Sequence, residues 1–458
     1  MLLHTFLEIL SCWAAFFPQQ RSFQQARRLA LGGLLACGRR QLSRILCALG
    51  LQDRDWSAAY YLFSRCRWEP QQLFAPILRQ ALPFCRGRLI GVAVDDTRLR
   101  KTGRSIVQAF FGRDPMSPPF HVNLTLGLRF LQASLLLPLH GGFALAARAL
   151  PIRFQEVSRL KRPRKKAPPQ EWKQYRQAAK RRNLSHSFVE MMADLRRALD
   201  TAGAALKTLV LAVDGSFCNR VCFRARRDRT ELIARTRKNA VLCFPAAAGS
   251  RRFYAPEKFT PEQIRQQEHR PWRTTKIFYG SKRHKVRYKE VANVLWQGGA
   301  GRLLLRLFVV APTPYQKRKG GRLLYRQSAY LLTTDLHSSP RQLLQIYFDR
   351  WQIEVNHREE KDTLGVGDAQ VRNIRAVPKQ PVLAVAAYSA LLLASLLTFG
   401  PHRTPHYAAL PKWRRNAKRP SCLDLVTLLR KEAGEHPEVL ENLGIHTSFQ
   451  RMNQAAAA

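Results

Sequence analysis

Two short apolar runs set the strongest limits on the fold. Residues 88–94 (RLIGVAV) and 206–213 (LKTLVLAV) are rich in Leu, Ile and Val. The first closes on Asp95, Asp96 and Thr97, the second on Asp214, Gly215 and Ser216. A continuous apolar run of this length, partly β-branched and bounded by turn residues, reads as a buried strand. One aspartate after a strand is weak evidence of function, because turns are rich in Asp. Two of them on separate strands, joined by a third carboxylate, make a more specific set.

The third carboxylate comes from residues 347–361 (YFDRWQIEVNHREEK), where Tyr347, Arg350, Glu354 and Lys361 stand at offsets 0, 3, 7 and 14. In an α-helix these positions share one face. Two cations and a carboxylate turned inward are costly unless something polar binds there. A phosphodiester with a divalent metal satisfies both, the cations holding phosphate oxygens and the glutamate holding the metal. The plainer alternative is a solvated helix with internal ion pairs. Trp351, on the same helix, is assigned to core packing.

The charge balance favours the first reading. Lys and Arg total 77 against 31 Asp and Glu, a formal net charge of +46. Such a field repels itself and implies a polyanionic partner, nucleic acid before membrane. A hydrophobic content of 46% excludes a mostly disordered chain. Nine scattered cysteines without a C-x-x-C pair argue against zinc and suit a reducing cytoplasm. The apolar N-terminus lacks a basic n-region, so a signal peptide is not expected. Residues 381–400 are long and apolar enough to span a membrane. The opening Pro381 and the nearby charged helix predict a buried helix instead, with no membrane partner.

Residues 1–85 read as helical. Leu42, Ile45, Leu46 and Leu49 form a helical stripe with Arg39, Arg40 and Arg44 beside it. It suits either a helix-turn-helix unit entering a DNA groove or a plain surface helix. Residues 105–111 and 120–129 read as strands of a meander, followed by a further apolar run at 130–139. Residues 153–185 are a charge run that includes Lys161, Arg164 and Lys173, and Pro163, Pro168 and Pro169 keep its first part from being helical. It reads as an exposed basic loop and helix, serving either DNA-backbone contact or as a localisation tag. Helical period resumes at 188–202. Residues 220–335 are basic and β-rich, with runs at 231–244, 285–296, 303–310 and 325–334. The last stretch is helical and ends in the alanine tail 455–458.

Taken together, these motifs resemble the DDE transposases of bacterial insertion sequences, in the superfamily marked by Y-(2)-R-(3)-E-(6)-K. The resemblance rests on Tyr347, Arg350, Glu354 and Lys361, on VDDTRLRKTG at 94–103, on VDGSF at 213–217, and on the flanking YLLTTD at 330–335 and LGVGDAQVR at 364–372. It implies an α/β fold, an RNase H-like mixed sheet flanked by helices and interrupted by a β-rich insertion. The implied organisation is a helical DNA-binding domain (1–85), the first part of the catalytic core (86–219, with the basic insert 153–185), the insertion (220–335), the second part of the core (336–400) and a helical C-terminal region (401–458).

The resemblance also implies an activity: cleavage at inverted-repeat ends and strand transfer, assisted by two Mg²⁺ or Mn²⁺ ions. Asp95, Asp214 and Glu354 become the catalytic, metal-holding acids. The Asp two residues before Thr selects Asp95, with Asp96 as the alternative first acid. Tyr347, Arg350 and Lys361 become contacts to the DNA end. Trp272 and Trp296 are candidates for stacking an unpaired base, a core role being the alternative for each. The implied partners are double-stranded DNA, both transposon ends and target, and a second copy of the chain as a homodimer on paired ends. The implied location is the bacterial cytoplasm, on the nucleoid. Two other readings fit the same residues: a non-catalytic DNA-binding repressor derived from such an enzyme, and a structure-specific nuclease with the same core.

Overall fold

The computed structural model describes residues 1–458 except 115, 116, 119, 141, 142, 159, 161, 319, 412–416 and 446–458. Lys161 of the basic run and the tail 455–458 therefore lie outside the described residues. The chain opens with five helices, α1 (Leu2–Ser11), α2 (Gln20–Leu35), α3 (Leu42–Ala48), α4 (Ser57–Ser64) and α5 (Phe74–Ala81).

A run of strands follows: β1 (Leu89–Arg100), β2 (Phe110–Arg113), β3 (Leu124–Leu137) and β4 (Arg148–Glu156). Then come α6 (Pro169–Arg181), α7 (Leu184–Thr201), β5 (Thr208–Val213), α8 (Arg220–Arg224) and β6 (Thr230–Arg235). β1 lies antiparallel to β3 and β3 antiparallel to β4, while β1, β5 and β6 run parallel. The order β4-β3-β1-β5-β6 is thus a mixed sheet, its central strands apolar on both faces as a covered parallel arrangement requires.

Several sequence expectations change here. The runs 120–129 and 130–139 are one strand, β3. The strand expected at 105–111 begins only at Phe110, because residues 103–109 form successive turns with Gln108 at φ +68°. The run 231–244 is split after Thr236, whose amide still extends the register with β14 by donating to the Tyr330 carbonyl, because Ala240 closes a turn on Arg237. Residues 153–156 of the charge run belong to β4.

The β-rich stretch comprises β7 (Leu242–Pro245), β8 (Tyr254–Phe259), helix α9 (Pro261–Gln266), β9 (Arg273–Tyr279), β10 (Lys282–Leu295), β11 (Leu304–Val310), the small pair β12 (Pro314–Tyr315) and β13 (Leu324–Tyr325), and β14 (Ala329–Thr333). β14 pairs antiparallel with β6, and β11 and β10 continue from it, so the stretch extends the same sheet to twelve strands.

The remaining elements are α10 (Pro340–Asp349), α11 (Gln352–Arg358), a π turn (Glu359–Thr363), α12 (Ala376–Phe399), α13 (Cys422–Glu435) and α14 (Pro437–Glu441). Ser339 caps α10 by accepting from the Gln342 amide, with Pro340 at the first helical position. α10 seats directly on β1 at Gly91, where a side chain would meet Ile346 at 3.1 Å. α12 is the one described helix long and apolar enough to cross a membrane, yet 78% of its apolar window is buried. It shares a hydrophobic core with α1, α2 and α13, through residues such as Leu3, Phe6, Leu31, Leu391 and Leu425. Arg40 is part of that packing rather than a groove-reading side chain. It is buried and donates to the Gly33 and Thr363 carbonyls, while its amide donates to Asp368.

Candidate active site

The parallel pairing of β1 with β5 ends at Val94 opposite Val213. The next residue on each strand is an acid, so Asp95 and Asp214 emerge flush with one another. Asp214 closes its strand and accepts from the Ser216 amide at 2.9 Å and hydroxyl at 2.6 Å. Asp95 does not close its own. β1 runs on to Arg100 because its antiparallel pairing with β3 continues to Gly127. The expected strand-end aspartate is therefore at the end of the parallel pairing but in mid-strand.

Alternation along β1 separates the two candidate first acids. Asp95 shares the face of Ala93, which packs against Ile353 of α11. Asp96 shares the opposite face and is ion-paired to Arg129 at 2.7 Å. Burial, then the neighbouring charges of Asp214 and Asp96, push the Asp95 carboxyl up to about 6, against the opposing pull of His357 and Arg350.

The acids face the segment 347–361, which is not one unbroken helix. The amides of Ile353 and Glu354 bond three residues back, to Arg350 and Trp351, tightening the α10–α11 junction. A π turn then carries Lys361. Across this junction Arg350 reaches Asp95 at 3.8 Å and Glu354 at 3.2 Å. Burial lowers its pKa, but Tyr347, Asp95, Glu354 and Asp214 outweigh that and hold it above the ordinary value. Tyr347 lies with its ring 6.0 Å from the Arg350 guanidinium, and burial pushes its hydroxyl pKa up. Lys361 is exposed, on the wall of a groove shared with Arg39, Arg100, His357 and Arg358. Trp351 is 52% exposed and lies near Arg326, so it does not pack in the core. Its position on the tightened turn points it away from the sheet that Ile353 covers.

The two other tryptophans differ in setting. Trp296 packs edge-on against Phe223 and lines a groove with Gly215, Ser216, Arg237 and Lys238, beside Asp214. Trp272 is partly buried with Arg287 and Lys289 over its ring.

Two further residues carry no assignment from sequence. His357 is 9% exposed, stands 3.6 Å from Glu360 and has no hydrogen-bond partner on either ring nitrogen. Its signal is its spacing, three residues after Glu354 and seven after Arg350. Lys101 is buried and donates to the Gly367 and Ala369 carbonyls, both at 2.6 Å. It ties the end of β1 to the segment after Lys361.

By donor chemistry, Asp95, Asp214 and Glu354 fit a hard divalent cation. As they stand, no three His, Cys, Asp or Glu groups among the described residues converge closely enough to hold one. Glu354 is turned to Arg350.

A family model described as the transposase DDE domain matches residues 155–390, just over half of the chain. The chain belongs to the transposase DDE domain family. Within this transposase, the matched span takes in Asp214, Tyr347, Arg350, Glu354 and Lys361, and begins after Asp95. Among curated proteins, none matches the chain. Family membership makes it a transposase, of a kind that generally cleaves DNA with divalent metal ions.

Proposed function

We propose that this chain is a cut-and-paste DNA transposase that cleaves at inverted-repeat ends and transfers the freed strand to target DNA. The observation that carries the reading is the meeting of Asp95, Asp214 and the Arg350–Glu354 pair at one end of the sheet. The strand order β4-β3-β1-β5-β6 supports an RNase H-like core. Asp95, Asp214 and Glu354 are the residues to hold two Mg²⁺ or Mn²⁺ ions, which when bound supply activation of a water or 3′-hydroxyl and stabilisation of the leaving oxygen. Arg350 and Lys361 grip phosphates of the DNA end, and the Tyr347 hydroxyl adds a hydrogen bond. The ion pair of Asp96 with Arg129 favours Asp95 as the first acid. Of the two tryptophans, Trp296 is better placed to stack an unpaired base, since it shares a groove with the Asp214 turn. The working unit is a homodimer on two DNA ends, acting on the nucleoid in the cytoplasm.

The test uses a duplex carrying the inverted repeats that flank the gene, with Mg²⁺ or Mn²⁺. The chain should nick and join it. Asp214→Asn and Glu354→Gln should abolish both steps and leave end binding largely intact. Normal strand cleavage by either variant overturns the assignment. Binding without cleavage by the unaltered chain identifies a repressor, and cleavage without joining a nuclease.

A further inference from the structure

We propose that residues 162–182 form an arm that grips the backbone of duplex DNA beside the acid-bearing end of the sheet. The inference rests on the transposase reading and adds a binding surface outside the catalytic face.

The connection is long for its task. β4 ends at Glu156 and α7 begins at Leu184, so residues 157–183 join them. Links between neighbouring elements usually take about 2–6 residues, and much longer ones are usually functional or disordered. This one is built: it contains the thirteen-residue α6, opened by Pro169 at its first position. No residue of α6 is buried. Helices of this length are marginal without tertiary packing, and most owe their stability to a buried face. α6 turns only a half-buried face, Trp172, Tyr175 and Ala178, and Tyr175 and Ala178 line a groove with its own basic loop, so the core of the fold gives no reason for it.

Its charge does. Residues 162–182 carry nine Lys and Arg against one acid, Glu171, and all nine cations are exposed. Among the described residues, none of the nine is in an ion pair, whereas the elements on either side pair theirs, Arg153 with Asp194 and Arg196 with Asp200. Lys173, Arg176 and Lys180 recur at i, i+3 and i+7, a single stripe about 10 Å long. Arg162 lies over the Trp172 ring, and Trp172 meets Tyr175 edge-on, so the basic loop is fastened to the helix. An unpaired, like-charged stripe is self-repelling until a polyanion neutralises it. The stripe carries no apolar patch, which suits phosphates rather than a protein surface.

Both roots of the arm lie beside the acids. Across the sheet, Asp95 pairs with Gln132 and Gln132 with Phe154, so β4 leaves the sheet at the same end as Asp95. The separation is two strands, about 10 Å. Just beyond, the Val157 amide donates to the Arg129 carbonyl at 2.8 Å, and Arg129 is the partner of Asp96. At the other root, Ser185 accepts from Asn219 at 3.0 Å, on the loop that begins at Asp214. DNA seated on the acids therefore passes close to the base of the arm.

The test compares the full chain with the Lys173→Ala/Arg176→Ala/Lys180→Ala/Arg181→Ala variant. Affinity is measured over a salt series for a duplex carrying the inverted repeat and for an unrelated duplex. Because Lys173, Arg176, Lys180 and Arg181 are all exposed, circular dichroism and thermal unfolding should match between the two proteins. Each phosphate that the variant no longer neutralises flattens the slope of log K against log salt by about 0.9, so the variant should be shallower by about 3–4. A change on both duplexes assigns the arm to any DNA, target included. A change on the inverted-repeat duplex alone assigns it to the transposon end. Unchanged slopes on both overturn the proposal while leaving cleavage, and hence the transposase reading, intact. An unaltered chain that neither binds nor cuts DNA overturns both.

Discussion

Arg350 Nη1 stands 3.8 Å from Asp95 Oδ2, linking a residue of the central strand to the helix that covers it. The other terminal nitrogen of the same guanidinium lies 3.2 Å from Glu354. One cation thus bridges Asp95 and Glu354, and its fixed fork matches both carboxylates and a phosphate.

Arg350→Ala should lower the strand-cleavage rate about 10²–10³-fold, the usual cost of removing one preorganised donor from a site of developing charge. Arg350→Lys should recover only part of it, because an ammonium cannot reach two partners in the same geometry. Single-turnover cleavage with saturating protein checks this. A lysine variant as fast as the unaltered chain would show that only the charge matters.

Lys101 makes a separate prediction. Burial pushes its ammonium pKa down to about 8, against the opposing pull of Asp368, and the group is held by two carbonyls of the 364–370 segment. Lys101→Met leaves the Gly367 and Ala369 carbonyls unpaired, at about 1–3 kcal/mol each where they stay dry. Denaturant unfolding should show a loss of about 2–4 kcal/mol, with faster amide exchange across 364–370. Unchanged exchange there would remove the clamp.

The parts of the site legible in sequence are the local ones. The runs ending at Val94 and Val213 are apolar enough to read as strands, and the 347–361 spacing reads as a helix face. What sequence lacks is register. That Asp95 and Asp214 emerge flush depends on Val94 pairing with Val213. The choice between Asp95 and Asp96 depends on which face of β1 carries α11, and alternation alone does not say. Trp351 defeats the helix-face reading because the helix is broken where its turn tightens. Arg40 escapes it because its partners, Thr363 and Asp368, lie over 300 residues away. The β-rich stretch is visible as strands, but its continuity with the core sheet rests on the long-range pairing of β14 with β6.

His357 has two unpartnered ring nitrogens close to Asp95, whose pKa its charge lowers. The ring's near neighbour is the buried Glu360 at 3.6 Å, and leaving that carboxylate alone costs about 1–3 kcal/mol. His357→Phe should therefore unfold at a moderately lower denaturant concentration than the unaltered chain while still folding. If the ring donates to an oxygen of the DNA end, the same variant should cleave about ten- to a hundred-fold more slowly, the worth of one hydrogen bond to a charged group. His357→Gln, which keeps a donor, should recover part of the rate. A full cleavage rate with His357→Phe would confine the residue to packing.

Glu156, the last residue of β4, predicts a pH dependence of stability. Burial pushes its carboxyl up to about 7 from an ordinary 4.5, and its Oε1 has no hydrogen-bond partner. A raised carboxyl pKa means that the folded chain holds this proton more tightly than the unfolded chain between those two values. The ionised form therefore costs stability above about pH 7, and the cost fades as pH falls towards 4.5. Glu156→Gln removes the charge and keeps the shape. At pH 8 it should stabilise the chain by about 1–3 kcal/mol. At pH 4.5 the difference should shrink to near zero. Urea unfolding of both proteins at the two pH values reads this directly. A Glu156→Gln gain of the same size at both would place its origin in packing rather than in ionisation.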